Sequence, residues 1–266
     1  MPLNKLILFD IDGTLVRANR SISSAMLKNT IRTYVTEGVL FGINTNRPIE
    51  EALPLYRTLR LNGPMIVEDG AGYKLDAFVP CKIAVRGLQK INRKVINFLQ
   101  HWVKTRTGER FTLRIGRDKS YLSDTCISLL ILITPQRIFT ASIYVRVNGR
   151  INPQALQTIY ELLKKEFLRG HKGMVIKKIE SQGKIIVANS QTNRFSTLQQ
   201  ISRHFFKSYD ILMISDEEPT PLKLVPRIKF ASVSNGTAVY KRECAYVSVK
   251  DGANGIVWLI KKFLAS

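Results

Sequence analysis

The chain opens on an unbroken apolar run, "LILF" at 6–9, that ends at two aspartates, and it then alternates between strand-like and helix-like periods. A continuous apolar run bounded by turn residues predicts a strand buried on both faces, here over 3–10. In "SISSAMLKNTIRTYV" at 21–35 the apolar positions recur at helical spacing behind serines suited to an N-cap. A second strand is predicted in "GVLFGINTN" at 38–46. A second helix follows from Pro48 to about Leu61, with the proline where a helix can begin without losing a hydrogen bond. Strand, helix, strand, helix predicts an α/β fold with a parallel sheet covered on both faces. "GPMIVEDGAGYKL" at 63–75 then reads as a short strand turning through glycine into a hairpin.

From about Pro80 the texture changes. "KINRKVINFLQHWVKT" is helical, "CISLLILIT" and "FTASIYVRVNG" are strands, "NPQALQTIYELLKKEFL" is an amphipathic helix, and "GMVIKKIESQGKIIVAN" is a hairpin around Gly183. This predicts an α+β insert with its own sheet. The helix-strand alternation resumes with "TLQQISRHFF" (197–206), "DILMIS" (210–215), "KFASVSNG" (229–236) and "GANGIVWLIKKFLA" (252–265). The expected organisation is a parallel-sheet core of 1–79 and 189–266, interrupted by an α+β domain over 80–188. The sequence contains no internal repeat and no low-complexity linker.

Composition changes this picture in two respects. With 41 Lys and Arg against 20 Asp and Glu, the formal net charge is +21, a surface that attracts phosphates of any kind, from small metabolites to nucleic acids. The cations are scattered and no nucleic-acid-binding motif accompanies them, so a generally basic surface is expected ahead of a nucleic-acid site. Three cysteines, Cys81, Cys126 and Cys244, are widely spaced without a CxxC pair, which argues against a disulfide framework or a zinc site and for buried thiols in a reducing compartment. The N-terminus lacks a signal pattern, and the longest apolar stretch, "CISLLILI" at 126–133, is too short to cross a bilayer. A soluble cytoplasmic protein without a membrane partner is expected, and nothing in the pattern selects an oligomeric state. His101, His171 and His204 lack ligand spacing and read as surface or packing residues.

Ligands of open parallel sheets bind beyond the carboxyl ends of the strands, where loops converge. Three such ends carry polar groups here: "DIDGT" after the first strand, "NTNR" after the second and "DEE" (216–218) after "DILMIS". Asp10 and Asp12 repel each other unless a positive charge lies between them. Taken singly, a DxD after a strand is often a solvated turn, Thr45 an ordinary loop hydroxyl, and Asp216 an acidic turn after a buried strand.

Taken together, "FDIDGTLV", Thr45 in "INTNRP" and "MIVEDGAGY" resemble the first motif, the second motif and the "ENGA" segment of the haloacid dehalogenase superfamily. The likeness is to its phosphatases with a large α+β cap inserted after the second motif. It spans nearly the whole chain, and around "RLNGPMIVEDGAGYKLD" the sequence is similar to archaeal phosphoglycolate phosphatases, with sugar-phosphate phosphatases close behind. The resemblance implies a Rossmann-like core with an inserted α+β cap. It also implies Mg²⁺-dependent hydrolysis of a small phosphorylated metabolite through an aspartyl-phosphate intermediate. Asp10 would be the nucleophile, and Asp12 would protonate the leaving oxygen and later activate water. Thr45 would hold a phosphoryl oxygen with its hydroxyl and backbone N–H. Mg²⁺, a hard cation that takes oxygen ligands, would be held by Asp10, Asp12 and Asp216, with Glu217 or Glu218 in support. Gly13 permits a sharp turn whose N–H groups face phosphate, and Asn46 and Arg47 are implied substrate contacts. Asn235 in "SVSNGTAV" resembles the family's "GNA" segment and would support the loop near metal and substrate. The cap would close over the site, exclude water and read the rest of the substrate. Arg114, Arg117 and Lys119 of "LRIGRDK" could do that reading, although a solvated basic turn is the plainer account.

Two positions depart from the pattern. The third motif normally supplies a lysine, but "RFSTL" places Arg194 there, with Lys184 a weaker substitute. Arginine keeps the charge, yet its planar fork is not equivalent to an ammonium. The fourth motif normally repeats an aspartate four residues on, where this chain has Thr220. These departures frame the alternative expectation: a fold that binds phosphate-containing ligands or nucleic acid with impaired turnover.

Overall fold

The computed structural model describes residues 4–16, 25–76, 79–84, 91–105, 112–116, 120–125, 129–217, 228–250 and 252–266. The chain forms two compact units, Met1–Ala84 with Asn193–Ser266, and Val85–Thr192. The first stretch carries β1 (Lys5–Phe9), α1 (Ala25–Thr36), β2 (Leu40–Asn44), α2 (Ile49–Thr58), β3 (Met65–Val67), β4 (Gly72–Lys74) and β5 (Lys82–Ile83). The second unit holds α3 (Ile91–Lys104), β6 (Thr112–Ile115), β7 (Leu129–Ile133), β8 (Ala141–Val147), α4 (Pro153–Leu162), β9 (Met174–Ile179) and β10 (Lys184–Asn189). The chain then returns through α5 (Arg194–Phe205), β11 (Asp210–Ser215), β12 (Ile228–Ser232), α6 (Ala238–Glu243), β13 (Tyr246–Val247) and α7 (Gly252–Leu264).

In the first unit one eight-stranded sheet runs β13-β12-β11-β1-β2-β3-β4-β5. The pairings from β13 to β3 are parallel, and β4 and β5 are added antiparallel at one edge. β1 is central, and its alternating side chains explain its continuous apolar run. Ile7 and Phe9 enter one core cluster with residues of α1, α2 and α7, while Leu6 and Leu8 enter a second cluster with residues of α5 and α6. β11 divides in the same way, Leu212 and Ile214 to the first cluster, Ile211 and Met213 to the second. A strand clad on both faces has no polar side to expose, so the polar residues gather at its end.

The second unit is a five-stranded sheet, β6-β7-β8-β10-β9, antiparallel except for the β6–β7 pair. Helices α3 and α4 pack on β8 and β10. Asn152 begins α4 by accepting a hydrogen bond from the Ala155 N–H at 2.9 Å, with Pro153 following in the first turn. The predicted hairpin turns at Gly183, whose φ is +52°.

The predicted α/β class and parallel sheet are present. The structure adds α6, β5, β6 and β13, which the periodicity did not predict. Arg114 lies in β6, paired beside Leu132 of β7, rather than in a basic turn, and its guanidinium sits 4.1 Å from the ring centroid of Tyr121. Arg117, Lys119, Cys126 and the serines of 21–24 fall outside the described residues. Among the described residues no helix is long and apolar enough to cross a membrane.

Truncating the doubly clad strands removes packing that no neighbour can replace. Leu212→Ala, at a fully buried position, is expected to lower unfolding free energy by about 2–5 kcal/mol, read as a lower urea midpoint. Cys81 is a free thiol, and it is pushed up to about 11, first by burial and then by the Glu68 carboxylate. Roughly one Cys81 in a thousand is then thiolate at pH 8, so iodoacetamide should modify it far more slowly than glutathione. Peptide mapping by mass spectrometry over time checks this, and equal rates would contradict it.

Candidate active site

Asp10 follows directly on β1, and its N–H donates to the Ile214 carbonyl of β11 at 2.9 Å, which holds the strand end in register. Its side chain is 8 % exposed. Oδ1 accepts the Ile11 N–H at 2.7 Å, and Oδ2 accepts from Arg194 Nη1 at 3.1 Å. Burial pushes the Asp10 carboxyl upward, and the Arg194 charge opposes that shift. The carboxylate is therefore desolvated and positioned, with a cation beside it.

Residues 11–16 form a tight turn closed by hydrogen bonds from Gly13 N to Val16 O at 2.9 Å and from Val16 N to Ile11 O at 2.8 Å. Gly13 has φ +76°, and a Cβ there would overlap the Asp216 carboxylate. Glycine is thus required twice, for the left-handed backbone and for the approach of β11. Asn235 Nδ2 donates to the Gly13 carbonyl at 2.9 Å, so Asn235 braces this turn.

Asp216, at the end of β11, is half-buried. Its carboxyl is pushed up to about 6, chiefly by burial and next by the Asp10 charge. Its Oδ1 is buried without a hydrogen-bond partner. Ser215, fully buried, donates from Oγ to the Glu217 carbonyl at 2.7 Å and lies 3.4 Å from Asp10 Oδ2.

Three expectations are altered by this geometry. The carboxylates of Asp10, Asp12, Asp216 and Glu217 do not gather as one ligand set. Among the described residues no group of three or more His, Cys, Asp or Glu is placed to hold a metal ion. The Asp12 side chain is instead gripped by Arg47, whose Nε lies 3.0 Å from Oδ2 and whose Nη2 donates to Oδ1. Thr45 is fully buried and its N–H donates to the Ile66 carbonyl at 3.0 Å, because β2 is still pairing there; its hydroxyl accepts the Arg47 N–H at 3.2 Å. Only the hydroxyl proton remains for a ligand. The Gly13 N–H is likewise engaged within its own turn. Asn46 lies in the same loop, half-buried, while Glu218 and Thr220 are outside the described residues. Lys184 opens β10 in the second unit, with its Nζ 5.5 Å from the Tyr144 ring centroid.

Arg194 is the first residue of α5, whose cap Asn193 accepts the Phe195 N–H at 2.7 Å. Besides Asp10, the guanidinium meets Asp69, with Nε 3.3 Å from Oδ1. Asp69 and Ser215 are the site residues that sequence reasoning missed. The signal for Asp69 was present in "EDGA", where a carboxylate replaces the amide of the resembled segment.

The donor set fits a divalent cation bound through two side chains. Asp10 and Asp216 repel each other, Asp216 keeps a buried oxygen with no partner, and Mg²⁺ is commonly held by one or two carboxylates with water and phosphate completing its shell.

Residues 7–100 match the family model described as haloacid dehalogenase-like hydrolase. No curated protein matches the chain. A solved structure from Thermoplasma acidophilum aligns with a TM-score of 0.65 at 19 % identity, covering 98 % of each chain. A haloacid dehalogenase-like hydrolase from Bacteroides thetaiotaomicron aligns at 0.68 and 14 % identity, over 97 % of this chain and 99 % of its own. A protein from Thermotoga maritima aligns at 0.68 and 13 % identity, over 97 % of both. Identities this low carry the fold, and the family model carries the signature of the first hundred residues.

At pH 8, in metal-free protein, Asp216→Asn removes one of two repelling carboxylates and should raise the thermal midpoint. Mg²⁺ should raise the midpoint of the wild type and leave the variant nearly unmoved. A thermal-shift series in EDTA and in Mg²⁺ reads both, and a lower midpoint for the variant in EDTA would remove the case for repulsion.

Proposed function

We propose that this chain, which has the haloacid dehalogenase-like fold and that family's hydrolase signature over residues 7–100, is a Mg²⁺-dependent phosphatase. Its substrates would be small phosphorylated metabolites of the phosphoglycolate or sugar-phosphate type. The single observation that carries this reading is Asp10: a desolvated carboxylate at the end of the central strand, oriented by the Ile11 N–H and paired with Arg194.

In this reading an Asp10 oxygen attacks phosphorus, forming an O–P bond as the bond to the substrate oxygen breaks. Arg194, with donors directed at the same locus, stabilises charge on the phosphoryl oxygens. Asp12 protonates the leaving oxygen, and its carboxylate then takes a proton from the water that hydrolyses the aspartyl phosphate. Arg47 holds Asp12 in place before substrate arrives, and its five N–H donors let it share itself between Asp12 and a phosphate oxygen. Asp10 and Asp216 would hold Mg²⁺, which supplies charge neutralisation for the approaching anion. The basic surface, at net +21, favours encounter with anionic substrates in general.

A screen of phosphorylated metabolites, with p-nitrophenyl phosphate as a generic probe, should show phosphate release in Mg²⁺ that disappears in EDTA. Asp10→Asn should reduce turnover by about a thousandfold or more, because no other nucleophile replaces it. Asp12→Asn should reduce it about a hundredfold or more. Phosphate release that survives Asp10→Asn unchanged would rule out this mechanism.

A further inference from the structure

The turn between β3 and β4 is built at a conformational disadvantage. Glu68, Asp69 and Gly70 all have positive φ, at +51°, +58° and +86°, two of them non-glycine residues that rarely adopt this region. The turn is nonetheless tied down on both sides. On one side the Glu68 N–H donates to the Arg47 carbonyl at 3.0 Å and the Asp69 N–H to the Thr45 carbonyl at 3.3 Å. On the other, Thr197 Oγ1 of α5 donates to the Gly70 carbonyl at 2.7 Å. A Cβ on Gly70 would stand 2.5 Å from the Asn193 carbonyl oxygen and 2.8 Å from the Arg194 nitrogen, so the turn lies directly against the start of α5. Strained backbone persists where surrounding contacts over-determine it, and it is commonest at functional sites.

Its product is the placement of one carboxylate. Asp69 Oδ1 lies 3.3 Å from Arg194 Nε while Asp10 Oδ2 lies 3.1 Å from Nη1. The Asp10 contact is a hydrogen bond, whereas the Asp69 contact is an ion pair without hydrogen-bond alignment at Nε. Carboxylates beside two different nitrogens nonetheless hold the guanidinium charge from two sides, which a single partner does not. An ammonium is a point charge with rotatable donors and needs no such second anchor. Arginine at 194 and a carboxylate at 69 are therefore a matched pair.

We propose that Asp69 is a positioning residue, acting through Arg194 to orient the guanidinium toward a phosphoryl group at Asp10. This rests on the phosphatase reading above. The test uses Asp69→Asn, because asparagine accepts the left-handed backbone at least as readily as aspartate and removes only the charge. With p-nitrophenyl phosphate and Mg²⁺, kcat should fall about tenfold or more while KM changes less than about threefold. Because the substitution removes a carboxylate from a nearly buried ion pair, the thermal midpoint is measured as well, and the kinetics are compared at a temperature where both proteins are fully folded. Arg194→Lys alone should also lower kcat, and Asp69→Asn added to it should cost little further, since no planar group is left to orient. The same cycle in the affinity for inorganic phosphate, read by calorimetry on the Mg²⁺-loaded protein, should show the same non-additivity.

Effects of the two substitutions that multiply independently, or a kcat for Asp69→Asn equal to the wild type, would overturn the inference and leave the phosphatase reading standing. A wild type that neither releases nor binds phosphate would overturn both. One that binds phosphate without turnover would overturn the phosphatase reading, and the calorimetric cycle alone then decides whether Asp69 positions Arg194.

Discussion

The burial of β1 on both faces is the constraint from which the candidate site follows. Leu6 and Leu8 face one core cluster, Ile7 and Phe9 the other, and the strand reaches its polar end without ever meeting solvent. The first group after that run is a carboxylate, Asp10, set where water is largely excluded. A charge in such a place requires partners. The Ile11 N–H and the Arg194 guanidinium answer that requirement from two distant parts of the chain, and Asn235 braces the turn that carries the first of them.

The elements that bring those partners are placed by the same sheet. β11 pairs with β1 from Lys5↔Asp210 to Phe9↔Ile214, so Asp216 emerges one strand away at the same end. β2 pairs on the other side and carries Thr45 and Arg47 just beyond its end. The chain leaves this unit after β5 and re-enters it at Asn193, and the residue after that entry is Arg194, at the head of α5. Four separated stretches of sequence thereby meet at the carboxyl ends of neighbouring central strands of one sheet.

Much of this was legible in the sequence, for a physical reason. Strands buried on both faces must be apolar throughout, so β1, β2 and β11 announce themselves, and the residues just past their ends can be named with them. β5 and β13 are two residues long and β6 only four, too short for a period to stand out. The hydrogen-bond state of a group is also hidden. Thr45 offers its N–H in the sequence but gives it to Ile66 in the fold, and Asp12 offers a metal ligand but is held by Arg47. Asp69 was the least legible, because its importance arises only when a left-handed turn meets the first residue of a helix more than a hundred positions away.

Local charge bears on the arginine that stands at the third-motif position. A cation at the first position of a helix sits at the positive end of the helix dipole, an unfavourable place unless anions face it. Arg194 is nearly buried and has two, Asp10 and Asp69. With Asp216 the set comprises three carboxylates and one guanidinium, a deficit of two positive charges when all are ionised, while Asp12 and Arg47 neutralise each other. A phosphate monoester brings up to two further negative charges to the same place. Arg194 can still donate to phosphoryl oxygens, but its charge is offset by its own carboxylates, so the set as a whole does not attract a dianion without a further cation. The proposed Mg²⁺ carries the charge that balances the carboxylates, so the demand for a divalent cation arises from the side chains themselves and is made stronger by the second carboxylate that accompanies arginine at 194.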